Sequence, residues 1–139
     1  TMFAEYELAI HETIEKGEAL SGEKLNAMYL TLLRKYHGDA VQIDPVYASE
    51  WAFIPHFYYN FYVYQYATSL AASVYFDDQI AKGGAAARDN YLKVLSAGGS
   101  DYPVDILKRA GVDMTSPAPY RALVAKFERT IAEAEKLVG

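Results

Sequence analysis

"HFYYNFYVYQYATSLAASVYFDDQIAKGG", residues 56–84, decides how the chain is read. The run from Phe57 to Phe76 carries no charge, and the stretch closes on the pair Gly83-Gly84. Six of the thirteen tyrosines fall between Tyr58 and Tyr75. A run of about 20 apolar residues can span a bilayer. Here, however, Asn60, Gln65, Thr68, Ser69, Ser73 and the tyrosines are spread along the whole length, whereas spanning helices keep tyrosine at the interfaces. A helix that is aromatic all round is one that neighbours cover on every side. The stretch therefore predicts a long, buried third helix rather than a membrane span.

The flanking sequence supplies helical neighbours. On the N-terminal side Phe3, Tyr6, Ile10 and Ile14 recur at helical spacing while Glu5, Glu12 and Glu15 lie off that stripe, so a helix is predicted from Met2 to Lys16, stopped by Gly17. A second follows in "SGEKLNAMYLTLLRKYHGD", with Ser21 as N-cap, Leu25, Met28, Leu32 and Tyr36 as the buried face, and Gly38 as the C-terminal stop. His37 sits where a helix C-terminus favours a cation, which gives it a capping role. The segment "DAVQIDPVYASEWAFIP" is broken by Pro45 and Pro55 and reads as a connector with a helical turn around Tyr47 to Trp51.

Beyond the glycine pair, "AAARDNYLKVLSAGG" predicts a fourth helix, "GGSDYP" a tight turn and "PVDILKRAG" a short fifth helix. The chain closes with a helix whose stripe is Leu123, Phe127, Ile131, Ala134 and Val138. No alternating strand pattern rises above the helical one. The fold class is all-α, a multi-helix bundle, taken as a single segment over residues 1–139.

Composition narrows the function. At 139 residues the chain has the size of one domain, and a net charge of −5 without a basic patch argues against a nucleic-acid partner. The absence of cysteine excludes disulfides and thiolate metal sites, and fits a cytoplasmic protein. "AGGSDYP" lacks the lysine and the strand-before-helix setting of a phosphate loop. Asp77 and Asp78 are adjacent, so on a helix they point apart and serve as solvating charges at its end.

The groups best suited to chemistry lie at the start of the uncharged stretch. At about 100° per residue, taking His56 as zero, Tyr59, Tyr62, Val63 and Tyr66 fall at about 300°, 240°, 340° and 280°. His56 and three tyrosines would then share one helix face. One reading makes them core aromatics whose hydroxyls satisfy one another. The other aims neutral O–H and N–H donors into a cleft, where they could stabilise the oxyanion formed when water attacks an amide. "AIHETIEKG", residues 9–17, is a separate candidate. His11, Glu12 and Glu15 stand one residue away from the H-E-x-x-H signature of helical zinc peptidases, and residues four apart on a helix face the same way.

"IPHFYYNFYVYQYAT", together with "MFAEYELAIHETIEKGEAL", "YHGDAVQID" and "AGGSDYPVDILKRAGVDMTSP", resembles oligoendopeptidase F, a zinc metallopeptidase family related to thimet oligopeptidase. The blocks match in order and spacing over essentially the whole chain, and correspond to the C-terminal portion of that enzyme. One departure is Ser69, where the family more commonly has "YATG".

The resemblance implies a helical shell around a channel in which zinc lowers the pKa of water and a glutamate acts as base. Both would lie N-terminal to this segment, so none of the residues present here would bind zinc. It further implies that His56, Tyr62 and Tyr66 act in catalysis and that His56, Tyr59, Tyr62 and Tyr66 bind substrate, on the wall facing the metal. His11 and Glu15 become surface residues, and their spacing a coincidence. The expected partners are short peptides, with no nucleic acid and no membrane. The isolated segment is expected to be inactive and to self-associate through uncovered apolar surface. A non-catalytic helical module that holds a peptide or partner chain in its aromatic groove is the alternative.

Overall fold

A computed structural model describes residues 1–138, and every regular element among them is helical. In chain order these are α1 (Met2–Glu15), α2 (Gly22–His37), 3-10 helices over Pro45–Phe53 and Pro55–Tyr58, α3 (Tyr64–Ala97), α4 (Pro103–Arg109) and α5 (Ala118–Val138). They group into two compact units, Thr1–Gln65 and the chain from Tyr66 onward. The all-α class follows the 3.6-residue periodicity of the sequence.

In the first unit local signals set the helix ends. Ser21 accepts the Lys24 N–H at 3.2 Å to cap α2. His37 donates from Nδ1 to the Leu33 carbonyl at 2.9 Å, which is the capping role its position suggested. Asp44 accepts the Val46 N–H at 2.9 Å and opens the first 3-10 helix, with Pro45 fixing its first turn.

Tyr6, Tyr29, Leu32 and Leu33 form the core of this unit, with Phe3, Trp51 and Phe57 packed against it. Tyr6 stands edge-on to Tyr29 at 5.1 Å and to Phe57 at 5.2 Å, an arrangement that sets ring edge against ring face. The polar tips of the core are partnered. Tyr6 donates to the Leu25 carbonyl at 3.3 Å, Tyr29 to Glu50 at 2.8 Å, and the Trp51 indole to Asn26 at 2.7 Å. Burial, with the Glu50 carboxylate beside Tyr29, raises the pKa of both tyrosines well above the ordinary value.

Two details correct the expected stripes. Tyr29 and Leu33 take inward places where Tyr36 was expected, and Tyr36 is exposed, its hydroxyl donating to Glu5 at 2.8 Å. Ile14 is likewise exposed, because the apolar cover of α1 comes from α2 and the 3-10 segment and is used up before the last turn.

The second unit is built on Ala72, Phe76, Ala110 and Val112, with Tyr91 set against Phe76 at 5.2 Å. The break expected at the glycine pair is present. Gly84 has φ 57° and ψ −134°, a conformation closed to L-residues with a Cβ, and it divides α3 into two helical stretches. Asp77 and Asp78 fall within the first stretch rather than at its end, and Asp77 pairs with Lys126 at 2.8 Å. That salt bridge holds the Asp77 carboxyl below the usual carboxylate range. The expected stripe of α5 is uncovered over its later turns, where Phe127 is 65% exposed.

Candidate active site

The sequence predicts a single helix from His56 onward, and the structure replaces its first two turns with a strap. Residues 55–58 form one 3-10 turn, Tyr59 closes it by donating to the His56 carbonyl at 3.2 Å, and regular α-helix begins only at Tyr64. Between them Asn60 and Phe61 have φ of 45° and 57°. Asn tolerates this left-handed region, whereas a bulky residue such as Phe is held there at a cost of about 1–2 kcal/mol. The angular calculation that placed His56 and three tyrosines on one helical face therefore does not describe this segment.

The holding contacts come from α1. Phe57 packs between Phe3 at 5.5 Å and Tyr6 at 5.2 Å. Phe61 lies against the His11 ring with centroids 4.1 Å apart. Val63 is buried and donates its N–H to Glu7 Oε2 at 3.2 Å. These three anchors turn one set of strap side chains toward α1.

The intervening residues make the candidate site. His56 and Tyr62 stack with centroids 5.8 Å apart and planes 24° from parallel, and Tyr59 stands edge-on to Tyr62 at 6.0 Å. Tyr62 is thus the middle ring of a contiguous group. Tyr59 is 62% and Tyr62 38% exposed, so the rings are not core packing. Tyrosine hydroxyls and an imidazole ring are hydrogen-bonding groups, and the sequence around them has no charged residue from Phe57 to Phe76. Tyr66 stands in the second unit, in the first turn of α3, and is 57% exposed.

The "HETIE" spacing makes no metal site. Glu15 is exposed, whereas the Nε2 of His11, expected at the surface, is buried and without a hydrogen-bond partner because Phe61 covers the ring. Among the described residues no three His, Asp or Glu side chains gather as metal ligands would, so the residues present do not fit a zinc ion. No helix among them is long and apolar enough to cross a membrane.

Sequence reasoning missed one member of this arrangement, Glu7. It is 1% exposed, an acid on the apolar side of α1. The signal was present. At about 100° per residue Glu7 falls some 20° from Ile14 and some 40° from Phe3, at the edge of the apolar stripe rather than opposite it.

Comparison with known proteins gives the arrangement its context. The model of Peptidase family M3 matches residues 1–125. Oligopeptidase PepF of Bacillus subtilis is 50% identical over 138 residues, which are 99% of this chain and 21% of the relative. The plasmid oligoendopeptidase F of Lactococcus lactis subsp. cremoris is 45% identical over 99% of the chain and 23% of its own length. The crystal structure of oligoendopeptidase-F from Enterococcus faecium superposes with a TM-score of 0.92 at 44% identity, covering 99% of this chain and 26% of that one. The chain thus spans about a fifth to a quarter of these three proteins, and over that span it belongs to peptidase family M3.

Proposed function

We propose that the chain is the C-terminal segment of a zinc-dependent cytoplasmic oligoendopeptidase that hydrolyses short peptides, and that it supplies the donors facing the scissile carbonyl. The observation that carries this reading is the group formed by half-buried His56 and exposed Tyr62 and Tyr59, held by three anchors on a strap of a family M3 chain. Attack of water on a peptide carbonyl moves negative charge onto its oxygen. Preorganised N–H and O–H groups about 2.7–3.1 Å from that oxygen stabilise the charge more than they stabilise the neutral carbonyl.

His56 and Tyr62 take the oxyanion role, with Tyr66 as a further catalytic donor. Tyr59, beside Tyr62, binds the peptide together with them. No three His, Asp or Glu side chains among the described residues gather as metal ligands would, so zinc and the general base are assigned to chain outside the segment, and the segment alone is proposed to hydrolyse nothing.

The test is Tyr66→Phe and Tyr62→Phe in the full-length enzyme that carries this segment, with turnover of a short peptide as the readout. A loss of about 10²-fold or more in kcat at either position is expected for a removed oxyanion donor. Unchanged turnover in both would reject the role and favour a module that only binds peptide.

A further inference from the structure

We propose that Glu7 is a positioning residue for the His56–Tyr62 pair, acting through the backbone of Val63. The inference rests on the donor reading above. Glu7 lies on the inner face of α1 at 1% exposure, and burying a carboxylate there is far costlier than burying the leucine or methionine that would fill the same place. Packing therefore does not explain it. Its Oε2 accepts the Val63 N–H across 56 positions of sequence, while Oε1 is buried with no hydrogen-bond partner.

Val63 is the residue before α3 and the residue after Tyr62, at the point where the chain leaves the left-handed pair Asn60-Phe61. A helix start leaves its first N–H groups without intrahelical acceptors, and an acid is the group best suited to meet them. Glu7 meets this one from a different helix, which fixes where the strap ends and therefore where the Tyr62 ring stands against His56. The other two anchors, at Phe57 and Phe61, are ring contacts that tolerate sliding. The hydrogen bond to Glu7 is the directional one.

The test uses the full-length enzyme with Glu7→Leu, Glu7→Asp and Glu7→Gln, beside Tyr62→Phe. Readouts are kcat and KM on a short peptide and the hydrogen-exchange rate of the Val63 amide. Displacing a catalytic group by about 1 Å costs on the order of 10²-fold, so Glu7→Leu and Glu7→Asp should lose about 10- to 100-fold in kcat with KM within about threefold. Glu7→Gln, whose amide oxygen still accepts, should recover most of that loss. Asp keeps the carboxyl group but is one methylene short, so it tests reach even where the leucine variant does not fold.

The Val63 amide should exchange at least about tenfold faster in Glu7→Asp than in the wild type or Glu7→Gln. Full kcat in all three Glu7 variants alongside a damaged Tyr62→Phe overturns the positioning role and leaves the donor reading standing. Equal losses in the Gln and Leu variants, with an unchanged Val63 amide, overturn it as well. Full activity of Tyr62→Phe removes the donor reading and this inference with it.

Discussion

His56 and Tyr62 stack at 5.8 Å although only one 3-10 turn and two left-handed residues connect them. Their juxtaposition is imposed from outside the strap, by α1. The first prediction concerns that support. Tyr6 is fully buried and touches the rings of Tyr29, Trp51 and Phe57. Tyr6→Ala should destabilise the protein by about 3–5 kcal/mol, the range for emptying an aromatic site in a core. Denaturant unfolding measures it, and a loss below about 1 kcal/mol would show that the site collapses without the ring.

The strap's backbone gives a second prediction. Asn60 has φ 45°, which glycine adopts freely and a β-branched residue does not. Asn60→Gly should stay within about 0.5 kcal/mol of the wild type, whereas Asn60→Val should cost about 1–2 kcal/mol. Thermal unfolding of the two variants distinguishes this from a strap that simply relaxes, in which case they would behave alike.

A third prediction follows from the tyrosines whose pKa is raised by burial. Tyr6 and Tyr29 keep their protons in the fold at pH values where the unfolded chain has lost them. Their contribution is fully present below about pH 10, the ordinary tyrosine value, and is lost as pH rises from there toward the folded pKa. Each should steepen the fall in unfolding free energy by up to about 1.4 kcal/mol per pH unit in that window. Tyrosinate absorbance with unfolding curves between pH 9 and 12 checks it. Full ionisation of every tyrosine in the folded protein near pH 10 would contradict the burial of these two.

Most of the helical framework was legible in the sequence because its signals are local. Ser21, Asp44 and Gly84 each end or begin an element through a bond or dihedral at the residue itself. The strap was not legible. Aromatics at 57, 58, 59, 61, 62 and 64 erase any period, and the left-handed turn at Asn60-Phe61 depends on side chains of α1 distant in sequence. The helical-face argument still selected His56, Tyr59 and Tyr62, because a spacing of three is also one turn of 3-10 helix and joins His56 to Tyr59. Glu7 escaped notice because its acceptor role becomes visible only once Val63 lies beside it.

The exposed side of α5 supplies a fourth prediction. Val124, Phe127 and Ile131 recur at helical spacing and are all exposed. The isolated segment should self-associate with rising concentration through this stripe, and Phe127→Glu should reduce the association. Light scattering decides, and a monodisperse monomer at high concentration would contradict it.

The central claim is that His56 and Tyr62 stabilise the oxyanion rather than merely line a groove. The direct measurement is made in the full-length enzyme carrying this segment. It compares, across His56→Ala, Tyr62→Phe and Tyr66→Phe, the loss in kcat/KM with the loss in affinity for a phosphinic peptide that mimics the tetrahedral intermediate. For donors that act in the transition state the two losses rise together, about 10²-fold each at Tyr62, while binding of the uncleaved substrate changes little. Equal weakening of substrate and mimic, with kcat intact, would contradict the account.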